Sequence, residues 1–395
     1  MSAAKQRALV VVSSVEAIEL PDSGVQVTRK FLEGLARYAE LWNGPVRAVC
    51  VSANGPSSDL DLVPYRRVDW PFDLHVRTLG AGSLRPLLAD AGALLATVGY
   101  QQNHLAELGE ELGIPVIYVS ELSLFTRVAI ARAEVQDPLR LARRTLWEVN
   151  QEHRQRASIR RAAGIQCNGP ATFNAYRTIN RSPILYFDTR ADSDLIATND
   201  EVERRLVRNR KGPLRLVFSG RLIPIKGAEH LVEVARSLVR REVDFRLDVY
   251  GDGESRPGME QDLERSGLRS RVKLHGAVDF ATELVPRIRE ESDLFVCCHL
   301  QGDPSCTYLE TMACGVPVVG YGNEALTGIL DCVHAGKAAR VADVEDLADL
   351  IEAIAHRREQ LVPWSRAAVA FGREHCFERT FERRVAHMAA VAEVL

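Results

Sequence analysis

The amino-acid sequence predicts an α/β protein built from two Rossmann-like domains. Short apolar runs alternate with longer helical patterns, which is typical of parallel sheets covered by helices on both faces. This alternation stops at a charged stretch, residues 186–213, and then begins again. The chain has 395 residues, which is more than one ordinary hydrophobic core organises. Together these observations predict a first domain over 1–190 and a second over 191–377.

The first domain is predicted from apolar runs that are buried on both faces. Its strands fall at 8–14, 46–52, 94–100, 115–122 and 164–169, and its helices at 27–40, 84–92, 103–113 and 139–162. Such fully apolar strands indicate a parallel sheet rather than a half-exposed antiparallel one. The stretch 186–213 has many charges and little apolar content, so we interpret it as the linker region.

The second domain repeats the same alternation. Its strands are predicted at 214–220, 245–253, 272–278, 293–299 and 317–321, with one helix at 227–241 and another that begins near Cys306. A final amphipathic pattern occupies 378–395. Hydrophobic periodicity predicts this last helix but not the surface against which it packs.

Composition excludes several classes of function. The net charge of −3 gives no basic excess of the kind that nucleic-acid binders show, so no nucleic-acid partner is expected. The eight cysteines form no CxxC pattern, which favours free thiols in a reducing cytoplasm. No apolar run approaches the ~20 residues of a membrane span. We therefore expect a cytoplasmic protein that is soluble or attached to a membrane only peripherally.

The most informative stretch is 292–321, which predicts a strand, a polar loop, a helix start and a second strand. A strand that leads into a helix N-terminus is where such folds bind phosphorylated ligands. Glu310 follows Cys306 and Thr307 by one helical turn and so shares their helix face. Amides for phosphate and a carboxylate for ribose hydroxyls predict a nucleoside diphosphate site.

A second segment, SGRLIPIKG at 219–227, places two cations where a strand ends. Arg221 and Lys226 there would oppose the negative charge of a departing diphosphate, although a solvated basic loop is the alternative. The segment lacks the GxxxxGK[ST] pattern of P-loop ATPases. Two glycine turns, GDGE at 251–254 and PDSG at 21–24, predict backbone that approaches the phosphates, with ordinary turns as the alternative.

No metal site is predicted. Asp59 with Asp61, and Asp192 with Asp194, have the DxD spacing of metal-dependent sugar transferases, but neither pair follows a strand and solvated loops are expected. The thiols near residue 298 do not form a ligand set either, because adjacent strand residues point to opposite faces of the sheet. We expect no metal and no cofactor.

The helical segment 139–162 is amphipathic and rich in arginine. Two interpretations stay open for it. One is a solvated helix face, and the other is a surface that docks on anionic lipid headgroups or a phosphorylated acceptor.

Taken in order, SGRLIPIKG, GDGE, VKLHGAV and CTYLETMACGVPVV resemble the retaining GT-B glycosyltransferases of the "group 1" type. The resemblance covers nearly all of the second domain, whereas the first domain matches only in layout. It implies two Rossmann-like domains that face each other across a cleft, with the closing helix crossing back to the first, acceptor-binding domain. It also implies a nucleotide-diphosphate sugar as substrate and a hydroxyl acceptor, lipid-linked or saccharide.

The resemblance also implies roles for individual residues. Arg221 and Lys226 would bind the donor diphosphate, the amides of Cys306 and Thr307 the distal phosphate, and Glu310 the ribose. The predicted donor site is completed by Gly24, Gly220, Gly251, Asp303 and Ser305.

The sequence departs from the family pattern at two places. The family carries two glutamates that are separated by seven intervening residues. The first of them falls on Gly302 here, and we expect the adjacent Asp303 to contact the transferred sugar instead. After the strand at 115–122 the family has a histidine where this chain has Ser120 and Glu121. Glu121, or His104 in the preceding helix, is expected on the acceptor side.

The resulting expectation is a metal-independent, retaining transferase that moves a sugar from a UDP- or GDP-linked donor, in bacterial surface polysaccharide, lipopolysaccharide or glycolipid synthesis at the inner face of the membrane. Two alternatives stay open. One is a sugar-nucleotide epimerase of the same architecture, and the other is a catalytically silent protein that only binds nucleotide sugars.

Overall fold

The computed structural model describes residues 7–20, 24–53 and 61–393. These residues form two open sheets, one of nine strands and one of six, each flanked by helices. The nine-stranded sheet belongs to the first half of the chain and the six-stranded sheet to the second.

The first domain contains nine strands and six helices among the described residues. The strands are β1 Ala8–Glu19, β2 Val25–Thr28, β3 Val46–Ser52, β4 Leu62–Tyr65, β5 Asp73–Val76, β6 Ala91–Thr97, β7 Val116–Ser120, β8 Gly164–Asn168 and β9 Pro183–Tyr186. The helices are α1 Arg29–Leu41, α2 Ala81–Leu88, α3 Leu105–Leu112, α4 Leu124–Glu134, α5 Pro138–Arg161 and α6 Pro170–Tyr176.

Seven of these strands form the parallel core of the sheet, in the order β5-β3-β1-β6-β7-β8-β9. β2 and β4 add an antiparallel extension to the far end of β1. The chain runs from β1 outward to β3 and β5 and then returns to β6 on the other side of β1. The strand order therefore reverses between β1 and β6, and such a reversal opens a crevice at the carboxyl ends of the strands.

The second domain repeats this plan with six parallel strands in the order β12-β11-β10-β13-β14-β15. The strands are β10 Leu214–Ser219, β11 Phe245–Tyr250, β12 Val272–Gly276, β13 Leu294–Cys297, β14 Val318–Tyr321 and β15 Gly336–Ala339. The helices that precede, flank and follow this sheet are α7 Asn199–Asn209, α8 Ala228–Arg240, α9 Arg256–Arg265, α10 Val285–Glu291, α11 Cys306–Ala313, α12 Glu324–Cys332, α13 Val344–His356, α14 Leu361–Glu374 and α15 Phe377–Glu393. The strand order here reverses between β10 and β13.

The closing helix α15 returns to the first domain. Its apolar face, which includes Phe381 and Met388, belongs to the same core as Leu32, Leu35 and Tyr38 of α1. The rings of Phe381 and Tyr38 lie 4.9 Å apart. The predicted fold class, two Rossmann-like domains with a C-terminal helix that crosses back, is confirmed.

The domain limits at 190 and 377 stay predictions. Tyr186 belongs to the core of the first domain, whereas the next residue, Phe187, packs in the core of the second. At this crossing the chain therefore passes from the first core to the second between Tyr186 and Phe187.

The stretch 186–213 is not an extended linker, because it contains the helix α7. Thr198 and Glu201 form a reciprocal capping box at its start. Its Arg205 is buried and donates hydrogen bonds to the carbonyls of Cys314 (2.9 Å) and Gly315 (2.6 Å) at the end of α11. A charged side chain thus serves as an internal cap for another helix, which a count of charges along the sequence does not reveal.

Candidate active site

A cavity of about 730 Å³ lies between the two domains. The first domain contributes Arg29, Lys30 and Glu33 from the start of α1, and Asp61 beside β4. The second domain contributes five of the residues predicted for the donor site: Gly220, Arg221, Gly251, Thr307 and Glu310. The cavity therefore lies at the carboxyl ends of β10 and β11, beside the reversal of strand order where ligands of such sheets bind.

Two glycines allow the strand ends to meet at this cavity. A Cβ atom on Gly251 would lie 1.9 Å from the carbonyl oxygen of Gly220, and Gly251 has a φ of +127°. Only glycine tolerates both this conformation and this approach of backbone to backbone. The GDGE turn is therefore a point of contact between the two loops that line the cavity.

Lys226 occupies a short 3₁₀ turn, Pro224–Lys226, that ends at Gly227. The residue is 6% exposed, and its Nζ lies 2.7 and 2.9 Å from the two carboxylate oxygens of Asp303. Gly227 has a φ of +62°, and a Cβ there would lie 2.0 Å from the carbonyl oxygen of Cys298. The turn is thus locked against β13, and it brings together two residues that the sequence predicted for the donor site.

The structure explains why a glycine occupies position 302. A Cβ atom on Gly302 would lie 2.8 Å from the Cβ of Glu324, at the start of α12. A side chain at 302 would therefore collide with α12 rather than enter the cleft. The carboxylate that reaches toward Lys226 comes from the next residue, Asp303.

Glu324 itself connects the two domains. Its Oε2 accepts hydrogen bonds from Ser123 Oγ (2.5 Å) and Thr126 Oγ1 (3.0 Å) at the start of α4. Thr126 also donates to the carbonyl oxygen of Gly302 (3.3 Å). The domains are therefore linked directly beside the loop that carries Asp303.

Glu310 is buried in α11 and paired with Arg190, a residue that the sequence analysis missed. Arg190 donates from Nε (2.8 Å) and from Nη2 (3.3 Å) to the two carboxylate oxygens of Glu310, in a bidentate arrangement. Its guanidinium also stacks over the ring of Phe280, 4.1 Å from the centroid. Burial by itself would lower the pKa of Arg190, but Glu310 outweighs this and holds it above its usual value. A single arginine in a charged stretch carries no sequence signal for this role.

The first turn of α11 is tied to the sheet of the second domain. Thr307 Oγ1 donates to the carbonyl oxygen of Ser219 at the end of β10 (3.0 Å), which holds the helix start against the strand end. The first amides of a helix have no acceptor within the helix, so they are available to an anion. The amides of Cys306 and Thr307 are therefore placed as the sequence analysis expects, and their role stays a prediction.

Lys30 is the second residue that the sequence analysis missed. Its Nζ donates to Asp188 Oδ2 (2.5 Å) and to Cys306 Sγ (2.7 Å), so it joins α1, the domain crossing and α11. Burial would lower the pKa of Lys30, but Asp188 and Cys306 outweigh this and raise it well above its ordinary value. Burial raises the pKa of the Cys306 thiol to about 12. Lys30 is therefore a cation and Cys306 a neutral thiol at neutral pH.

Several predicted residues do not line the main cavity: Lys226, Asp303 and Cys306, which were described above, and also Gly24 and Ser305. Gly24 belongs to the connection between β1 and β2, where its carbonyl oxygen accepts from Leu20 N (2.8 Å), and residues 21–23 lie outside the described ranges. Ser305 lines a small separate cavity beside Pro304 and Gly169. Ser305 therefore lies between the two domains but outside the main cavity, and Gly24 lines neither cavity.

The two candidates for the acceptor side are separated by the fold. Glu121 lines a second cavity, of about 230 Å³, which shares Lys30 with the main one. Burial, and then the nearby Asp188, raise the pKa of the Glu121 carboxyl. His104 lies instead in a different depression, with Glu19 and Arg77. Of the two, only Glu121 stands next to the cleft.

Only some of the aspartates in the two DxD pairs lie at the main cavity. Asp61 and Asp192 line the main cavity, whereas Asp59 lies outside the described residues. The Asp192 carboxylate is engaged locally, since it accepts from the backbone of Leu195 (3.1 Å). Among the residues that the structure describes, no group of three or more histidine, cysteine or acidic side chains is arranged to hold a metal ion.

The arginine-rich segment forms the long helix α5, and several of its arginines are paired. Arg144 binds Glu148 and Arg156 binds Glu152 along the helix. The apolar side chains that α4 and α5 leave exposed are Phe125, Leu139, Leu146, Trp147 and Val149. Within the described ranges, no helix combines the length and the apolar character that crossing a bilayer requires.

The fold and the cavity define a two-domain protein of the GT-B class, with the ligand cavity in the cleft. Residues 213–357 match the family described as "Glycosyl transferases group 1". The crystal structure of Anabaena Alr3699/HepE in complex with UDP and glucose has a similar fold. The two structures superpose with a TM-score of 0.63 and 16% sequence identity, over 97% of this chain and 99% of that chain.

Two curated relatives are similar to part of the chain. The 2-deoxystreptamine glucosyltransferase of Streptomyces kanamyceticus is 26% identical over 208 residues, 51% of this chain and 53% of that protein. The D-inositol 3-phosphate glycosyltransferase of Saccharomonospora viridis is 28% identical over 176 residues, 42% of this chain and 40% of that protein. The chain thus aligns with about half the length of these relatives or less.

Proposed function

We propose that this protein is a retaining glycosyltransferase that moves a sugar from a nucleotide-diphosphate donor, UDP- or GDP-linked, to a hydroxyl acceptor. The observation that carries the proposal is the cavity between the domains, where the start of α11, Arg221 and Glu310 face the first domain across open space. The group 1 match over the second domain and the sugar-transfer names of the relatives support the same activity.

The donor nucleotide is proposed to lie along the second domain. Its diphosphate would meet the amides of Cys306 and Thr307, and the cations Arg221 and Lys226 would approach it from the other side. Glu310 would accept the ribose hydroxyls, held in place by its bidentate contact with Arg190. The apolar edge formed by Val278 and Phe280 of the cavity lining would take the base.

The chemistry would consist mainly of leaving-group stabilisation. As the glycosidic bond to the diphosphate breaks, negative charge grows on the phosphate oxygens, and fixed cations that face it stabilise the transition state more than the ground state. A phosphate oxygen of the donor would take the proton of the attacking hydroxyl on the same face of the sugar, which retains the anomeric configuration. Asp303, held by Lys226, would contact the transferred sugar, and the reaction would need no metal or cofactor.

The acceptor is proposed to bind on the first domain, with Glu121 near its reacting hydroxyl. The relatives act on small cyclic polyols according to their names, 2-deoxystreptamine and D-inositol 3-phosphate. Bacterial polysaccharide, lipopolysaccharide or glycolipid synthesis, in the cytoplasm at the membrane surface, is the setting that we propose.

The experiment that tests this function begins with binding of UDP, GDP and ADP and then follows their sugar conjugates. Binding raises the melting temperature by mass action, so one nucleotide should shift it clearly more than the others. Incubation of its sugar conjugate with pooled hydroxyl acceptors should then release nucleotide and give an α-linked product from an α-linked donor. An epimerised donor without any acceptor would indicate an epimerase, and binding without turnover would indicate a silent binding protein.

We further propose that α4 and α5 form a peripheral membrane surface. The exposed side chains of Phe125, Leu146 and Trp147 accompany the arginines of α5, and Arg144 stacks over the Trp147 ring at 4.8 Å. Apolar anchors beside cations are what binding to anionic headgroups requires. Sedimentation with vesicles that contain 30% anionic lipid, roughly the charge at which such surfaces bind, should pull down the protein. Substitution of Leu146 and Trp147 by serine should abolish this, and sedimentation equal to that with neutral vesicles would contradict the proposal.

A further inference from the structure

The second cavity lies where the strand order of the first sheet reverses. It is lined by Val12 and Ser13 of β1, by Thr97 at the end of β6, and by side chains of α1 and α15. Crevices at such reversals are the usual ligand sites of open parallel sheets. The volume of about 230 Å³ suits a single ring rather than an extended chain of sugars.

The wall that α15 contributes contains a buried cation, Arg384. The residue is 7% exposed and lines the cavity. Its guanidinium stacks over the ring of Tyr186, 4.2 Å from the centroid, and its Nε donates to Gln166 Oε1 (2.8 Å). Among the described residues, no carboxylate lies within ion-pair distance of it, and its terminal nitrogens donate no hydrogen bond. The rings of Tyr38, Tyr186 and Phe381 surround the guanidinium, so an anion in the cavity could meet it without displacing an ion pair.

The other charges of the cavity form no ion pair with Arg384. Burial lowers the pKa of Arg384, but Tyr186, Tyr38, Asp188 and Glu121 outweigh this and hold it above its ordinary value. Lys30 and Asp188 neutralise each other in their own ion pair. Glu121 is too far away to form one with Arg384, and its carboxyl holds its proton more tightly than usual because of burial and Asp188. Tyr38 also lines the cavity, and its buried hydroxyl has no hydrogen-bond partner. The cavity wall thus contains a cation without an ion-pair partner and a hydroxyl without a hydrogen-bond partner, among the residues that the structure describes.

We propose that this cavity binds the sugar acceptor, and that the acceptor carries an anionic group, a phosphate or a carboxylate, which is held by Arg384 and Tyr38. The inference rests on the proposed transferase function and adds the chemical class of the acceptor. The planar guanidinium presents paired donors that match the oxygens of such a group. Aromatic stacking on Tyr186 fixes the orientation of the guanidinium before the acceptor arrives.

The remaining geometry presents the acceptor to the donor. Lys30 lines both cavities, so its ion pair with Asp188 forms the boundary between them. An acceptor anchored through its anion at Arg384 would direct its opposite side toward Glu121 and this boundary. The hydroxyl that reacts would then lie away from the charged group, on the side that faces α11.

The experiment measures binding to the protein with the donor site filled by saturating UDP. Glucose 6-phosphate, glucuronate and inorganic phosphate serve as anionic probes, and glucose serves as the neutral control for the first two. We expect at least one sugar anion to bind at least 10-fold more tightly than glucose, and inorganic phosphate to compete with it. Binding of glucose as tight as that of both sugar anions would overturn the proposal, and so would no binding of any anion.

Two variants locate the anion. Arg384→Gln should weaken binding of the anionic probe at least 10-fold, whereas Arg379→Gln, on the exposed face of the same helix, should leave it unchanged. Because Arg384 is buried and its loss can unfold the protein, Tyr38→Phe provides a second test that keeps the ring and removes the unpartnered hydroxyl. Unchanged binding in Tyr38→Phe and in a folded Arg384→Gln would overturn the proposal. Where UDP does not bind, GDP or ADP takes its place in this experiment. Failure of all three nucleotides to bind would instead refute the transferase function, so the two failures are distinguishable.

Discussion

Removal of the charge on Lys226 should lower both turnover and stability, and a second substitution, at Asp303, should restore stability alone. Lys226→Met keeps most of the volume of the side chain and deletes the cation that faces Asp303. If Lys226 stabilises the departing diphosphate, its loss costs about 2.7–4 kcal/mol in the transition state, or roughly 10²–10³-fold in turnover. Arg221→Ala should lose activity in the same range.

The stability cost follows from the ion pair itself. The side chains of Lys226 and Asp303 are 7% and 23% exposed, and their charged atoms are 2.7 Å apart. Removal of one partner from a fully buried pair costs about 3–5 kcal/mol. Because Asp303 retains contact with water, we expect the lower range of about 1–3 kcal/mol that applies to a partly rehydrated group. Each kcal/mol lowers the melting temperature of a domain of this size by about 2–4 °C.

The assay combines release of nucleotide from the donor with thermal unfolding. Addition of Asp303→Asn to Lys226→Met removes the uncompensated carboxylate, so it should recover stability without recovering turnover. Wild-type turnover by Lys226→Met would refute the role of the lysine at the leaving group. Recovery of both properties in the double variant would show that the lysine matters only as a partner of Asp303.

Three further predictions follow from other parts of the site. Arg190→Ala leaves Glu310 buried without its bidentate partner, so calorimetry should show nucleotide binding weakened by at least 10-fold. Glu310→Gln should weaken nucleotide binding too. Unchanged affinity in both variants would contradict the assignment of Glu310 to the ribose. Activity should survive EDTA, and a loss that manganese restores would place a metal in the mechanism instead. Burial, with Lys226 nearby, lowers the pKa of His299 well below 6.5, so the folded state binds fewer protons than the unfolded state. The contribution of the neutral His299 to the free energy of unfolding should therefore be fully present above pH ~6.5 and fall by up to about 1.4 kcal/mol per pH unit below it. His299→Gln should flatten this pH dependence of the free energy of unfolding, measured with denaturant.

Five of the six strands of the second domain were predicted from the sequence, each to within three residues at its ends, and β15 was missed. The run predicted at 214–220 forms β10, Leu214–Ser219, and the run at 272–278 forms β12, Val272–Gly276. A short, continuous apolar run flanked by glycine is typical of a buried strand, so few other secondary structures fit it. The last helix was equally clear, since Phe377–Glu393 has a strong apolar face.

The prediction was wrong where short strands are only partly buried. We predicted the first helix at 27–40, but Val25–Thr28 forms β2 and the helix begins at Arg29. β4 and β5 were missed for the same reason, because strands of four residues with mixed burial show no clear period. Such pairings are decided by the neighbouring strand rather than by the local sequence.

The candidate site was predictable only within one domain. Arg221, Thr307 and Glu310 follow strand ends in a recognisable order, and the fold brings them to one cavity. Lys30 and Arg190 reach the same place from segments that are distant in sequence. No local pattern distinguishes these cations from those on the surface, because their roles come from tertiary packing alone.

The return of α15 to the first domain means that the first domain is encoded by two segments of the gene, which the segment for the second domain separates. Its core and its inner cavity combine strands from the first half of the chain with Phe381, Arg384 and Met388 from the last helix. A chimaera that exchanges only residues up to the domain crossing would join one parent's cavity walls to the other parent's arginine. Transfer of acceptor preference, by recombination or by design, therefore requires exchange of the segment for α15 together with the segment up to the domain crossing.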